Sequence, residues 1–542
     1  MKKLSGVFLS TVLTASLLAG CSDSGNGNAD QAGGNADNQS GQGAAVENFN
    51  ETGYPIVNEK VKLTLMGQDV GMAKWEEMAA FKQMEEMTGI ALEFRNSPTD
   101  SFETKKNLVF SSGEYPDMFY GANITLAEEV NYGSQGILIP LEDLIDQYAP
   151  NIKKLLDENP HIRKSITTPD GHIYSLPSIN LEHMWITNPI WYNGHYLKAL
   201  NMETPQTLDE LHTYLKRVKE EDPNGNGQAD EIPLTSTKLD DIRGWLLGTW
   251  GVYYEKDKEY YADDEGNVRF VPTQPGYREY LAFMNKLWAE GLLDQETFTQ
   301  TNQQRQAKGK QNQLGMFRAY AASFVMGGDE PNSDHPLYQP VQSDFVEKPV
   351  FNRSSGISTG AFAITDKNPA PEATMRWIDY QYSYEGARLF SIGPEGTLWQ
   401  YADKESKKKE WLEVPGGMKR EDYRATLTPN FGIVVPTVSM EEINSGLKSE
   451  YDDWVKEQNE KLLEPIARIG YPIVYLLENE QEEVTTLMSD IRTYVTQMEA
   501  KFVTGQEPLD KWDDYVSTLK KMGADRIEEI YQAAYDRWNQ NQ

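Results

Sequence analysis

Cysteine is almost absent from this chain of 542 residues, which has Cys21 alone. A single thiol excludes a disulfide framework and any zinc site built from cysteines. The six histidines form no H-x-x-x-H pair, which argues against a zinc hydrolase of that type. Glycine patterns for dinucleotides and nucleoside triphosphates are also missing, so the chain is not predicted to bind or hydrolyse ATP.

Positive charge is scarce. The chain has 51 Lys and Arg against 83 Asp and Glu, a formal net charge of −32 at pH 7. Nucleic acids and anionic headgroups attract clustered basic residues, so neither is an expected direct partner. Hydrophobic residues make up 39% of the chain, enough for sizeable cores. At roughly 100–200 residues per domain, the length predicts two to four domains or one large two-lobed body.

Long apolar runs are missing from the body of the chain, which is therefore predicted to be soluble. Residues 1–20 combine a short basic head with apolar and small residues, which is typical of an export signal. The sequence L-A-G-C at 18–21 closes this run and resembles the bacterial lipobox, whose cysteine is acylated after cleavage. We predict a lipoprotein signal peptide at 1–20 and lipidation of Cys21. A plain secretory signal with a chance cysteine is the alternative.

The segment after Cys21 is predicted to be a flexible tether. Residues 22–50 are almost entirely Ser, Gly, Asn, Asp, Gln and Ala, a composition that cannot bury a core. We assign 21–57 to the lipidated cysteine and its tether. A lipid at the terminus would hold the protein at the outer face of the cell membrane without a spanning segment.

The body begins with alternating strand and helix patterns. Strands are predicted at 61–66, 90–94 and 116–120, with helices at 73–88 and 101–112. This order predicts a parallel sheet with right-handed crossovers. Ligands of such sheets lie beyond the carboxyl ends of the strands, here near residues 67–69 and 120–123.

A second alternation follows. Thr207 and Glu210 form a predicted capping box at the start of a helix. Another helix is predicted at 277–290, and strands at 173–177, 184–187, 314–317 and 360–364. From 440 to the end the pattern is mostly helical, with an apolar stripe through Leu487, Ile491, Val495 and Met498.

Residues 222–231 form the most specific motif. Oxygen-bearing side chains stand at loop positions 1, 3, 5, 9 and 10 and a glycine at position 6, which is the arrangement of an EF-hand-type Ca²⁺ loop. Position 12 is Pro233, so Glu231 would have to close the site. We predict a structural Ca²⁺ site, with an Asn-Gly-rich turn that binds nothing as the alternative. The predicted ligands are Asp222, Asn224, Asn226, Gln228 through its carbonyl, Asp230 and Glu231.

Enzymatic interpretations have weaker support. The run Gly356-Ile357-Ser358-Thr359-Gly360 matches a G-x-S-x-G nucleophile pattern, but it precedes a predicted strand instead of following one. A surface glycoside hydrolase or polysaccharide lyase with paired carboxylates stays open as an alternative, because 83 acidic residues could supply such a pair. A peptide-binding lipoprotein with the same α/β architecture is the second alternative.

Several segments together resemble the large extracellular solute-binding lipoproteins of ABC sugar importers. They are the L-A-G-C run, S-G-E-Y-P-D-M-F at 112–119, W-Y-N at 191–193, the block at 204–233, G-A-F-A-I at 360–364 and G-P-E-G at 393–396. The resemblance runs from about residue 58 to the end and is most specific at 204–233. Members that bind acidic oligosaccharides carry a Ca²⁺ loop of the kind seen at 222–231.

The resemblance implies a two-lobed α/β fold of the periplasmic-binding-protein type II, with a helical C-terminal extension. Lobe one would comprise 58–179 and 320–366, and lobe two 180–319 and 367–542. It implies no enzymatic activity but capture of an oligosaccharide in the interlobe cleft and its delivery to the permease subunits of an ABC importer, by a monomer.

Sugar-binding candidates are the aromatic and polar residues at predicted strand ends and loops, because aromatic rings stack on sugar faces and polar groups bond the hydroxyls. Trp75 and Trp377 lie on helical stripes and are expected in the core. The candidates are Gln68, Asp69, Asn123, Trp185, Trp245, Trp250, Arg318, Tyr320 and Trp399.

Overall fold

The computed structural model describes residues 48–182, 188–256, 258–327 and 334–540, which form a mixed α/β structure. The strands are β1 (Val61–Met66), β2 (Gln68–Asp69), β3 (Ile90–Phe94), β4 (Ser97–Pro98), β5 (Met118–Tyr120), β6 (Leu176–Asn180), β7 (Ile190–Tyr192), β8 (Ile232–Leu234), β9 (Tyr260–Ala262), β10 (Val268–Phe270), β11 (Leu314–Arg318), β12 (Phe351–Asn352), β13 (Ile357–Ile364), β14 (Trp399–Asp403), β15 (Lys408–Trp411), β16 (Val438–Ser439) and β17 (Ala467–Arg468).

The α-helices are α1 (Ala79–Thr88), α2 (Thr99–Ser112), α3 (Leu126–Ser134), α4 (Glu142–Tyr148), α5 (Pro150–Glu158), α6 (Pro160–Ser165), α7 (Gly194–Ala199), α8 (Leu208–Glu220), α9 (Asp240–Leu246), α10 (Pro275–Ala289), α11 (Asn302–Lys310), α12 (Ser323–Met326), α13 (Pro371–Asp379), α14 (Tyr384–Ile392), α15 (Arg420–Leu427), α16 (Glu450–Leu462), α17 (Glu478–Thr504), α18 (Trp512–Lys521) and α19 (Ala524–Gln540). Among the described residues, none of these helices combines the length and apolarity that a bilayer-spanning segment needs.

The larger sheet has six strands in the order β16-β6-β13-β5-β1-β3. β1 lies between β3 and β5 and is parallel to both, which confirms the parallel sheet predicted for this region. β13 runs antiparallel to β5 and β6. Within β1 the alternation works as expected, because Leu63 and Leu65 are buried while Lys62 is exposed and pairs with Glu93 at 2.7 Å.

A smaller sheet of three strands has the order β7-β11-β8. Its central strand, β11, is parallel to β8 and antiparallel to β7. The carboxyl ends of β8 and β11 and the start of β7 therefore lie at one edge. The two-stranded pairs are β9 with β10, β12 with β17, β14 with β15, and β2 with β4.

Most of the buried hydrophobic residues that the structure describes fall into two large cores. The first contains buried residues from 56–179 and 357–443, and the second from 190–351 and 463–534. The chain therefore passes from the first core to the second, returns, and crosses again. We call these two groups lobe one and lobe two.

The division of the chain differs from the predicted boundaries. Residues 367–443 are predicted for lobe two, but Trp377 and Phe390 are buried in the first core, with the Trp377 ring 6.1 Å from that of Tyr120. The physical reason is that β13 ends beside β5, and the following helices pack back onto the same sheet. Conversely, Tyr338 and Phe351, predicted for lobe one, are buried in the second core.

The C-terminal helices complete lobe two. α17 spans 27 residues, and Ile491, Val495 and Met498 of the predicted apolar stripe are buried against the second core. The Arg243 guanidinium on α9 donates two hydrogen bonds to the nearly buried Glu499 carboxylate, at 3.0 and 2.7 Å. This bidentate pair ties α17 to α9.

Candidate ligand cleft and calcium loop

The six-stranded sheet has a polar edge where β1 and β5 end side by side. Gln68 follows β1, and its Nε2 donates a hydrogen bond to the Gly121 carbonyl after β5 at 2.9 Å. The Asp69 carboxylate accepts the Gly71 N–H at 2.7 Å. Asn123 is exposed in the loop after β5, with φ at 51°. The structure thus places three predicted ligand residues at one edge, and their binding role stays a prediction.

A loop that the sequence analysis did not single out lies over this edge. A Cβ on Gly121 would stand 3.2 Å from Ile433 Cδ1, and a Cβ on Gly432 would stand 3.5 Å from Val70 Cγ1. Val434 in the same loop is 37% exposed. Local sequence carries no signal for this approach, because more than 300 residues separate the loop from Gly121.

A buried lysine supports the Asn123 loop. Lys106 on α2 is fully buried, and its ammonium contacts the Glu128 carboxylate at 2.8 Å and that of Glu103 at 3.1 Å. It also donates a hydrogen bond to the Asn123 carbonyl at 3.3 Å. Glu128 in turn accepts the N–H of Thr125, the N-cap residue of α3. Nothing in the local sequence marks Lys106 for this role, because a lysine on a helix is ordinarily a solvated charge.

Replacing Lys106 by methionine is expected to lower the free energy of unfolding by about 1–3 kcal/mol, because Glu128 loses its buried counter-charge but keeps its bonds to Thr125. Urea unfolding monitored by tryptophan fluorescence measures the change. The exposed Lys154 is the matched control, since its contact with Glu158 is 3.9 Å long and open to solvent. Equal losses in the two variants would contradict the supporting role of Lys106.

The three-stranded sheet presents aromatic residues at its corresponding edge. Tyr320 follows β11 and is half-buried, with its ring 5.7 Å from that of Phe324 and 5.9 Å from that of Tyr451. Phe324 on α12 is 57% exposed. An aromatic ring this exposed beside a strand end offers a free face for a ligand, and the sequence analysis did not name it.

Arg318 ends β11, and its charge is already engaged. Its Nε donates to the Asn188 carbonyl at 2.8 Å, and its guanidinium lies 3.6 Å from the Asp241 carboxylate. Arg305 donates to the Arg318 carbonyl and so fixes the strand end. An arginine held in this way is a positioned hydrogen-bond donor with a balanced charge.

Three predicted ligand residues lie in hydrophobic cores instead of at an edge. Trp399 is fully buried and donates its indole N–H to the Gly393 carbonyl at 2.9 Å. Trp245 packs on Phe351, and Trp250 packs against the rings of Tyr280 and Phe283. Both are at most 6% exposed. The structure thus buries these rings almost completely, and their role as sugar platforms stays a prediction.

Trp185 lies outside the described residues, as do Met184, Ile186 and Thr187 of the strand predicted there. Trp75 and Trp377 are buried as expected.

The crossings between the lobes contact one another. Glu182, after β6, accepts a hydrogen bond from the Ser439 hydroxyl at 3.1 Å. Its carboxylate also lies 3.4 Å from the Lys448 ammonium in the last crossing. Crossing segments that run side by side are the usual sites at which two lobes hinge.

The loop at 222–231 is folded around its own polar groups. The Asp222 carboxylate accepts the backbone N–H groups of Asn226 and Gly227, at 3.1 and 2.9 Å. The amides of Asn224 and Asn226 both donate to Asp230, at 3.1 Å. In the part of the chain that the structure describes, no group of three or more His, Cys, Asp or Glu side chains has metal-binding geometry. The Ca²⁺ site therefore stays a prediction.

Glu231 is the exception in this loop. Its two carboxylate oxygens are buried and have no hydrogen-bond partner of good geometry, although the Asn224 backbone N–H lies near. Burial and the charges of Asp222 and Asp230 raise its pKa above the ordinary value. A buried carboxylate without a partner beside two other carboxylates fits a cation, and loop oxygens are the ligands that Ca²⁺ takes.

The sequence matches a known protein family. Residues 68–388, more than half of the chain, match the model described as "Bacterial extracellular solute-binding protein". The chain belongs to this family. As a member it is a binding protein of an importer and not an enzyme, and the family places it outside the cytoplasm.

Known family members agree with the structure. The chain is 28% identical over 485 residues to "Fructooligosaccharide ABC transporter substrate-binding protein FusA" of Streptococcus pneumoniae serotype 4, covering 86% of this chain and 88% of the relative. S. pneumoniae FusA "in complex with kestose" superposes with a TM-score of 0.74 at 26% identity, covering 89% and 100% of the two chains. The FusA "EF-hand mutant in complex with fructo-nystose" gives 0.74 at 25%, with the same coverage.

The family confirms the predicted fold class, a two-lobed solute-binding protein with a helical C-terminal region. The structure accounts for the G-x-S-x-G run at 356–360. Ser358 is an exposed residue inside β13, and Gly360, with φ at 67°, passes against the Ile124 carbonyl at a distance that only a glycine allows. The run is therefore a structural feature of β13.

Proposed function

We propose that this solute-binding protein captures an oligosaccharide between its lobes and delivers it to the permease of an ABC importer. The observation that carries the proposal is the similarity to a fructooligosaccharide-binding protein over 86% of the chain. The polar edge of lobe one and the aromatic edge of lobe two supply the two kinds of contact that a sugar needs.

The ligand we propose is a neutral oligosaccharide. Arg318, at the aromatic edge, is the one basic residue among the predicted ligand residues, and Asp241 balances its charge. The other polar candidates, Gln68, Asp69 and Asn123, supply amide and carboxylate groups suited to hydroxyls. Kestose and nystose are therefore the first ligands to test, with galacturonate oligomers as the charged comparison.

We also propose a structural Ca²⁺ in the loop at 222–231. Glu231 with its unpartnered oxygens, Asp222 and Asp230 would hold the ion, together with the oxygens of Asn224, Asn226 and Gln228. The existence of an EF-hand mutant of FusA supports the proposal. The ion would supply charge compensation and rigidity, because a fully liganded ion offers no open position for chemistry.

The anchoring proposal rests on Cys21. Lipidation there would keep the protein at the outer face of the membrane as a monomer beside its permease. Palmitate labelling tests it: the full chain should be labelled and membrane-bound, and Cys21→Ser should leave the membrane fraction unlabelled. Label retained in Cys21→Ser would contradict the proposal.

Isothermal titration of the folded body with kestose, nystose, maltotriose and trigalacturonate tests the ligand. Saturable binding of a neutral oligosaccharide with no product formed is the expected result. Tight binding of trigalacturonate alone would overturn the proposed neutral ligand, and release of shorter sugars would overturn the binding role.

Phe324→Ala is expected to weaken the affinity for the bound oligosaccharide about tenfold, because one stacking face is worth about 1 kcal/mol or slightly more. The thermal midpoint should change little, since the ring is 57% exposed. Phe345, 45% exposed in a loop of the same lobe, is the matched control. The same titration of both variants measures the difference, and equal affinities would remove Phe324 from the site.

A further inference from the structure

A cavity of about 360 Å³ lies between the lobes, away from the edges described above. One wall is formed by α6 and the loop after it, whose Ile162 and Ile166 belong to the first core. The other is formed by residues 474–475 and the end of α19, whose Ala534 belongs to the second core. None of the predicted ligand residues that the structure describes lines it. Its volume suits a molecule of about monosaccharide size.

The charge of this cavity is opposite to that of the protein. Arg163, Lys164 and Arg537 line it, and no carboxylate in the described parts of residues 48–540 is part of the lining, in a chain with a net charge of −32. Arg163 and Arg537 have partners outside the lining: Arg163 lies 3.3 Å from Asp157, and Arg537 makes a bidentate pair with Glu480.

The Lys164 ammonium has no counter-charge and the Trp538 indole N–H has no hydrogen-bond acceptor among the described residues. The Lys164 ammonium stands 3.7 Å above the Trp538 ring and makes no ion pair with any described carboxylate. The Trp538 indole N–H is buried and has no hydrogen-bond partner among the described residues. Burial lowers the pKa of Lys164, as expected of an ammonium without a counter-charge. The two groups lie on the two walls of the cavity, and an ammonium without a counter-charge and an N–H donor without an acceptor both call for an acceptor with negative charge.

We propose that this cavity binds a small molecule through an oxyanion, a phosphate or a carboxylate, held by Lys164 and the Trp538 N–H. Asp157 and Glu480 balance the charges of Arg163 and Arg537, so Lys164 supplies the unbalanced positive charge. Because the walls come from both cores, the occupant contacts both lobes. This site is separate from the oligosaccharide site and does not depend on the proposed function.

Isothermal titration of the folded body with sodium phosphate and with sodium glucuronate tests the site and distinguishes the two sources of the oxyanion. Glucose and sodium chloride at matched ionic strength are the ligand controls. Saturable binding of at least one oxyanion is expected. Saturation by neither below about 10 mM would overturn the proposal.

Three variants test whether the oxyanion binds in this cavity. Lys164→Met should weaken it at least about tenfold, because a charge-assisted hydrogen bond is lost. Trp538→Phe keeps a ring, removes the N–H and should weaken it a few-fold. Lys154→Met, on α5 of the same lobe and exposed, should leave it unchanged. Binding of wild-type strength in both cavity variants would place the anion elsewhere and overturn the proposal. Thermal melts confirm that each variant is folded.

Discussion

Replacing Glu129 by glutamine is expected to raise the free energy of unfolding by a few kcal/mol at pH 8 and by progressively less towards pH 5. Glu129 on α3 is fully buried. Its Oε2 accepts a hydrogen bond from the Tyr475 hydroxyl at 2.8 Å, and its Oε1 has no partner of good geometry, although Ser175 lies near. Burial raises the pKa of this carboxyl to about 8, and the hydrogen bonds offset only part of that effect.

The sign follows from the raised pKa. An unfolded glutamate ionises near its ordinary value of 4.5, whereas the folded protein keeps the proton to about pH 8. Between these values the native state binds more protons than the unfolded state, so the free energy of unfolding falls as pH rises. Across this window the loss reaches at most about 4–5 kcal/mol, at 1.36 kcal/mol per pH unit. Glutamine does not ionise, so the free energy of unfolding of the variant does not fall in this way.

Urea unfolding of wild type and Glu129→Gln at pH 5, 6, 7 and 8 measures the effect. The difference between the two curves isolates Glu129, because other titrating groups such as the buried His335, whose pKa is lowered to about 4, contribute equally to both. Glu114→Gln, at an exposed position, should give a flat difference. A flat difference for Glu129→Gln as well would show that its carboxyl ionises normally.

Local signals in the sequence predicted local structure well. β1 and β3 have the bounds that the alternation of their residues predicts. The capping box before α8 forms with Thr207 and Glu210 in their predicted roles, each accepting the other's backbone N–H at 3.2 Å. In each case the interacting residues are a few positions apart, so one short segment contains the whole physical cause.

Features that depend on distant contacts were harder to predict. Trp399 was expected in the cleft because it stands at a predicted strand end or loop, but the hydrogen bond that its indole N–H donates to Gly393 and the packing around its ring place it in a core. Phe324, which was not a candidate, is instead the residue that is 57% exposed after β11. The lobe boundary failed for the same reason, because nothing within 367–443 indicates which sheet its helices will cover. Residue type alone does not predict which residues will pack around an aromatic ring.

Calcium is expected to stabilise lobe two and to do so through Glu231. At a Ca²⁺ concentration 100-fold above the dissociation constant, a ligand that binds only the native state adds about 2.7 kcal/mol to the free energy of unfolding. For a lobe of this size that corresponds to a rise of roughly 5 °C in the thermal midpoint. Thermal unfolding of the chelator-treated protein with and without added CaCl₂ measures this rise in the midpoint, with MgCl₂ as the comparison salt.

Glu231→Gln should abolish most of this rise, because it removes the charge of the buried carboxylate that lacks a hydrogen-bond partner. Asp403→Asn is the matched control: Asp403 also accepts a backbone N–H in a turn, that of Glu405 at 3.1 Å, but it stands on an exposed hairpin and should keep the full calcium response. The response of the wild type should also shrink from pH 7 to pH 5, since the raised pKa of Glu231 makes protons compete with the ion. A calcium response that survives Glu231→Gln at every pH would remove this loop as the site.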